Sequence, residues 1–173
     1  SPQAAQDTAA SIAEQAQKYV LTPATTTVYP TAVHSSFGNV EGEENLLQED
    51  GNAAVLRFKS GGKKPYVILD MGRASASGYP VFKVKAHKGT PVIRLAYATH
   101  PAAGGEKGGF ARGSCTYLGV DLPVLPGNPG RYELYSIPRD GTFIAPLIQG
   151  QQRYVRLQLD TENTEVEVDS FYM

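Results

Sequence analysis

Residues 65–99 read PYVILDMGRASASGYPVFKVKAHKGTPVIRLAYAT, and their pattern decides the fold class. Three apolar, β-branched runs, YVILDM, YPVFKVKA and PVIRLAYAT, are separated by a Gly/Ser-rich turn and a Lys-Gly turn. In the middle run Phe82, Val84 and Ala86 share one face, with Lys83 and Lys85 opposite. A period of two marks a strand with one buried and one solvated side. Val92 and Ile93 followed by Leu95 and Tyr97 repeat the pattern less cleanly, and KGTP supplies a short connection. The stretch predicts an antiparallel β-meander at the centre of the molecule.

Outward from that centre, further strand-like runs follow one another at short spacing. Upstream lie TTTVYP (25–30), AVHSSFGNV (32–40), ENLLQ (44–48) and AAVLRFKS (53–60), where Val55, Arg57 and Lys59 oppose Leu56 and Phe58. Downstream, RYELYSIP (131–138), TFIAPLI (142–148), RYVRLQLD (153–160) and TEVEVDSFYM (164–173) complete the series. RYVRLQLD sets Tyr154, Arg156 and Gln158 against Val155, Leu157 and Leu159, and DTENT reads as the hairpin turn that follows it. Many short strands without an internal repeat describe an all-β, antiparallel sandwich or jelly roll. Residues 7–20, DTAASIAEQAQKYV, form the single predicted helix, with Asp7 at its N-cap, an apolar stripe through Ile12 and Ala16, and Pro23 beyond its end. The chain thus divides into an N-terminal helical segment (1–24) and a β-sandwich domain (25–173). The Gly/Pro-rich stretch 100–131 interrupts the strands, and insertions longer than about 15 residues are usually functional or disordered.

Composition narrows the function. Hydrophobic residues make up 41% of the 173 residues and charged ones 19%, an ordinary globular balance. A formal net charge of −1 offers nothing to a nucleic acid or an anionic membrane, and no apolar run approaches the roughly 18 residues that span a bilayer. Cys115 is the only cysteine, so no intrachain disulfide forms; in the GSCT context it reads as a small buried hydrophobe. The start Ser1-Pro2-Gln3 fits a processed or trimmed end.

Catalytic signatures are missing: there is no G-x-S-x-G elbow, H-E-x-x-H helix, Walker loop or dinucleotide fingerprint. His34, His87 and His100 have no ligand spacing. The acids Glu41, Glu43, Glu44, Glu49 and Asp50 read as a solvated loop rather than a glycosidase pair. Asp70 stands apart, because a carboxylate ending an apolar strand must be paired or capped, and Arg73 is near in sequence. Ten tyrosines without a tryptophan, interleaved with arginines, suit a carbohydrate surface, where rings cover apolar sugar faces and polar groups take the hydroxyls. The candidate sugar-contacting residues are Asp70, Arg73, Tyr79, Tyr117, Arg131, Tyr132 and Arg153.

Two segments carry a family resemblance. Leu69-Asp70-Met71-Gly72, Gly78-Tyr79-Pro80 and Leu95-Ala96-Tyr97, followed by Gly150-Gln151-Gln152-Arg153-Tyr154-Val155-Arg156-Leu157, resemble the β-sandwich that precedes the catalytic barrel in α-L-rhamnosidases of glycoside hydrolase family 78. The resemblance covers residues 53–173. It implies a secreted, non-catalytic module, structural or carbohydrate-binding, with rhamnose-containing plant glycans as partners. Catalysis would then come from an (α/α)6 domain of the same parent protein, and the chain alone would not be an enzyme. Some relatives carry a calcium-assisted module, but its ligands do not map onto this sequence, so no metal or cofactor is expected. The reading from another class is a stand-alone lectin-like or protein-interaction module.

Overall fold

The computed structural model describes residues 2–17, 19, 27–72, 77–98, 115–117, 120–122, 132–150 and 153–173. A helix, α1 (Pro2–Gln17), precedes β1 (Ala32–Phe37), β2 (Asn39–Glu41), a 3-10 turn (Glu43–Leu47), β3 (Ala54–Phe58) and β4 (Tyr66–Asp70). Then come β5 (Val81–Lys88), β6 (Val92–Ala98), β7 (Cys115–Tyr117), β8 (Val120–Leu122), β9 (Tyr132–Ser136), β10 (Gly141–Ile144), β11 (Tyr154–Leu159) and β12 (Thr164–Tyr172). One sheet has the order β1-β4-β11-β6-β9 and the other β10-β5-β12-β3-β2; β7 and β8 form a separate two-stranded hairpin. Every strand pair in both sheets is antiparallel. The expected β-sandwich is therefore the observed one.

The strands of residues 65–99 do not form a meander. β4 and β6 lie in the first sheet on either side of β11, while β5 lies in the second between β10 and β12. Alternation identifies the buried face of a strand, but a strand facing the same core from either layer shows the same alternation. DTENT is likewise a crossover rather than a hairpin turn, since it links β11 of one sheet to β12 of the other. Another crossing divides AVHSSFGNV at Gly38, whose φ is +78°; a Cβ there would stand 2.9 Å from the Pro65 Cα. ENLLQ folds as the 3-10 turn, with Leu46 fully buried.

The inner faces supply the core: Val67, Leu69, Ile93, Leu95, Val155, Leu157 and Leu159 from the first sheet meet Leu56, Phe82, Val84, Val166, Val168 and Phe171 from the second. Phe82 stacks on Phe143 and meets Tyr135 edge-on, at ring-centre distances of 5.2 Å and 5.3 Å. Phe82 and Val84 do share a face, but Ala86 does not join them. Glu167 pairs with Ala86 and Val168 with Val84, so Lys85 is an extra, bulged residue. The bulge turns Ala86 beside Glu167 and brings His87 opposite Val166. α1 begins five residues earlier than the predicted helix and ends before Tyr19, and Ile12 of its apolar stripe is 62% exposed.

One polar cluster sits in this interior. Glu133 shares the inner face with Leu95 and accepts hydrogen bonds from Tyr97 Oη (3.0 Å), Tyr135 Oη (2.7 Å) and Gln149 Nε2 (2.8 Å). Burial, and then the hydrogen bond and charge of Glu133, push the Tyr135 hydroxyl above its ordinary value, so it stays a donor. Gln149 is fully buried, and its backbone pairs with Gly78 through hydrogen bonds of 2.9 Å and 2.8 Å. The carboxylate thus anchors the segment after β10 to the first sheet. Glu133→Ala strands three donors and should cost about 2–3 kcal/mol in a urea unfolding titration. Glu133→Gln should cost less, because it still accepts.

Candidate functional site

The outer face of the first sheet carries a group of aromatic and basic side chains, among them the candidates Tyr132 and Arg153. Strand register places Phe37, Tyr66, Gln158, Arg94 and Leu134 in one row across the sheet. The next row holds Ser35, Ile68, Arg156, Ala96 and Tyr132, and a third Ala32, Asp70, Tyr154 and Ala98. Cations lie over the rings: Lys63 Nζ is 5.2 Å from the Phe37 centre, Arg156 is 5.7 Å from Tyr66, and Arg94 is 4.5 Å from Tyr132. Phe37 and Tyr66 stack at 5.4 Å. This face is not open, however: Tyr66, Ile68, Ala96, Ala98, Tyr154 and Gln158 are all buried. Burial, and then the neighbouring Arg94, pull the Arg156 guanidinium below its ordinary value. The alternation in RYVRLQLD correctly separates the two faces of β11, but both faces are packed.

At one corner of this face the two resemblance motifs meet. Arg153 Nε and Nη2 each donate to Asp70, at 3.0 Å to Oδ1 and 3.0 Å to Oδ2, a bidentate pair. The Gly72 N–H donates to Asp70 Oδ1 at 2.8 Å, and the Met71 N–H donates to the Arg153 carbonyl at 2.7 Å. Gly72 has φ +92°, and a Cβ there would come 2.9 Å from Thr31 Cγ2. Thr31 in turn donates its N–H to the Asp70 carbonyl at 2.8 Å. Arg153 also covers Tyr154, 5.1 Å from the ring centre, and His34 meets the same ring edge-on at 5.4 Å. Each residue of Leu69-Asp70-Met71-Gly72 therefore serves the architecture. Leu69 and Met71 fill the core, Asp70 clamps β11, and Gly72 lets the chain pass Thr31.

Of the candidate sugar-contacting residues, the structure brings Asp70 and Arg153 together. Asp70 does need a partner, and Arg153 is one; the sequence neighbour Arg73, like Arg131, lies outside the described residues. Tyr132 is on β9, 41% exposed beneath Arg94. Tyr79 stands elsewhere, 52% exposed beside the Gly78–Gln149 bridge. Tyr117 belongs to the separate β7–β8 hairpin. Of the described candidates, Tyr79 and Tyr132 stand apart from the Asp70–Arg153 pair. Among the described residues no group of three or more His, Cys, Asp or Glu side chains is placed to hold a metal ion, and no helix is long and apolar enough to cross a membrane. His34 joins Tyr154 at the corner unforeseen, since only the β1–β4 and β4–β11 registers bring them to Asp70.

No family model matches the chain, and no curated protein matches it in sequence. Among solved structures it is similar to a family 78 rhamnosidase of Bacillus sp. GL1, with 19% identity and a TM-score of 0.50, over 75% of this chain and 11% of that one. The carbohydrate-binding module CBM32 of AlyQ, solved in complex with 4,5-unsaturated mannuronic acid, is 15% identical over 83% of this chain and 95% of that one, with a TM-score of 0.38. A truncated AlyQ with its CBM32 and alginate lyase domains is 14% identical over 85% of this chain and 33% of that one, also at 0.38. The likeness to the rhamnosidase is one of fold, and the chain spans about a ninth of that protein's length.

Two outcomes test the corner. Burial pushes the Asp70 carboxyl up, but the hydrogen bonds from Arg153 and Gly72 and the charges of Arg153 and His34 outweigh it and hold the group below its ordinary value. A folded value below the unfolded one means a stabilisation that is complete above the ordinary Asp range near about 3.9 and lost as pH falls through the folded value. The stability gap between the native chain and Asp70→Asn should therefore be open at pH 6 and shrink in acid, as read by thermal melts across pH. Gly72→Ala should destabilise by about 1–3 kcal/mol, since it adds both a left-handed backbone penalty and a contact with Thr31.

Proposed function

We propose that the chain is the non-catalytic β-sandwich module of a secreted α-L-rhamnosidase-like glycoside hydrolase. It serves as a structural and carbohydrate-binding part, directed at rhamnose-containing plant glycans, and an (α/α)6 domain of the same parent protein supplies catalysis. The observation that carries this reading is the Asp70–Arg153 clamp. It joins the two sequence motifs on which the resemblance rests, and it gives both a role in holding the sandwich together rather than in chemistry. The likeness of fold to part of a rhamnosidase supports the same reading.

A second feature fits a module that abuts a larger protein. Ile144, Leu147 and Ile148 are between 55% and 64% exposed, and Tyr79 lies next to them through the Gly78–Gln149 bridge. Large aliphatic side chains grouped on a surface in this way suit an interdomain contact better than a solvent face.

The test compares this chain with the product of its complete reading frame on a chromogenic α-L-rhamnoside. The chain alone should release no product, and the longer protein should hydrolyse the substrate. A reading frame that stops at Met173, or a longer protein inert on every α-L-rhamnoside tried, overturns the proposal.

A further inference from the structure

A cleft on the second sheet, remote from the Asp70 corner, is lined by Arg57, Lys59, Lys63 and Lys88, of which Lys59 has no partner among the described residues. It opens where three connections converge: the turn after β3, the turn between β5 and β6, and the crossover between β11 and β12. One lobe of about 170 Å³ is bordered by Arg57, Lys59, Lys88, Asn163 and Glu165. A second lobe of about 130 Å³ shares Arg57 and Lys59 and adds Asn39 and Lys63.

The walls are built rather than incidental. Glu165 sits between two cations, accepting from Arg57 Nε at 3.0 Å and pairing with Lys88 Nζ at 3.3 Å. Arg57 is further fixed by Glu41 at 3.2 Å. The Ser60 N–H donates to Asn163 Oδ1 at 3.2 Å, tying two of the connections together. Asn163 has φ +57°, a conformation that Asn tolerates better than most residues, and its amide nitrogen is left as a donor at the cleft. A Cβ on Gly89 would stand 3.1 Å from the Asn163 carbonyl oxygen, so the third connection presses against the same residue. The Lys59 side chain forms no ion pair or hydrogen bond with a described residue. Arg57 and Lys88 are thus matched by Glu41 and Glu165, and Lys63 lies over the Phe37 ring, which leaves Lys59, among the described residues, as the unpaired positive charge of the lining.

A cleft with surplus positive charge, two side-chain amides and room for a single ring selects a small anion that also carries hydroxyl groups. We infer that this cleft binds the carboxylate of an acidic sugar, with Lys59 as the principal charge contact and Asn39 and Asn163 as hydroxyl partners. The inference rests on the carbohydrate-binding part of the function proposed above and names its ligand class. Because the contact is electrostatic and open to solvent, affinity should fall as salt is raised.

The experiment is a 1H–15N amide-shift titration of the whole chain, at low ionic strength, with galacturonic acid, galactose and inorganic sulfate in parallel. Galacturonic acid should move the amides of residues 57–63, 88–89 and 162–165, and Lys59→Ala should weaken that binding by about tenfold, as expected for one charge-assisted contact. Galactose should leave those amides in place. Sulfate that moves them at the same concentrations as galacturonic acid overturns the inference in favour of a simple anion site. Galactose acting as well as galacturonic acid overturns it too, because the charge would not be read. Saccharide-induced shifts confined to other residues overturn the cleft but leave the carbohydrate-binding reading standing. No shift with either sugar overturns the cleft, while a parallel titration with rhamnose judges the carbohydrate-binding reading and the rhamnoside assay judges the parent enzyme.

Discussion

The two layers are tied at their centres by a single short connection. β11 is the middle strand of one sheet and β12 the middle strand of the other, and residues 160–163 join them directly. So short a link forces the central strands to stack, and the remaining strands then add outward in antiparallel register. Asp160 makes the crossover rigid. Its carboxylate takes Lys64 at 3.0 Å and Gln158 at 2.9 Å on one oxygen and Arg94 at 3.0 Å on the other, while its N–H donates to the Val92 carbonyl at 2.8 Å. Burial pushes this carboxyl up, and the hydrogen bonds from Lys64, Gln158 and Arg94 more than reverse that. The group stays charged because it is fully partnered.

That constraint explains why the outer face of the first sheet behaves as a second core. A central strand has neighbours on both edges, so Tyr154 and Gln158 are enclosed by β4 and β6 even though they point away from the sandwich interior. Arginine suits such a place better than lysine. Its planar, weakly hydrated head can lie on a ring, as Arg94 does on Tyr132 and Arg153 on Tyr154, while its nitrogens still reach a carboxylate. The Tyr/Arg interleaving in the sequence therefore serves packing here before it serves recognition.

What could be read from the sequence follows the range of each interaction. Val155, Leu157 and Leu159 alternate with Tyr154, Arg156 and Gln158 within six residues, so face assignment was accessible from local pattern alone. Layer assignment was not, because β4, β5 and β6 present similar runs whichever sheet they join. The bulge at Lys85 leaves no mark in composition, since it depends on the compensating bulge at Asp169 in a strand far along the chain. Asp70 was recognisable as a carboxylate in need of a partner. Its partner lies 83 residues away, a distance that only the β4–β11 register closes. The cleft was less visible still: Lys59 and Asn163 lie in connections and Lys88 at a strand end, and only the folded chain brings them together.

The positions of the two unexplained surfaces bear on how such a module would work. The cleft lies where β12 begins, at Thr164, and the exposed aliphatic group lies where it ends, because Ile144 and Tyr172 are both register partners of Val81. Eight residues of strand separate them, on the order of 25 Å. One end of the sandwich is thus apolar and suited to contact with protein, and the other is cationic and suited to contact with an anionic solute. The stiff central strands and the Asp160 crossover hold these ends apart, so neither surface need yield to the other. On the function proposed above, the sandwich would seat on its catalytic domain through Ile144, Leu147 and Ile148 while the cleft at the other end of β12 faced solvent.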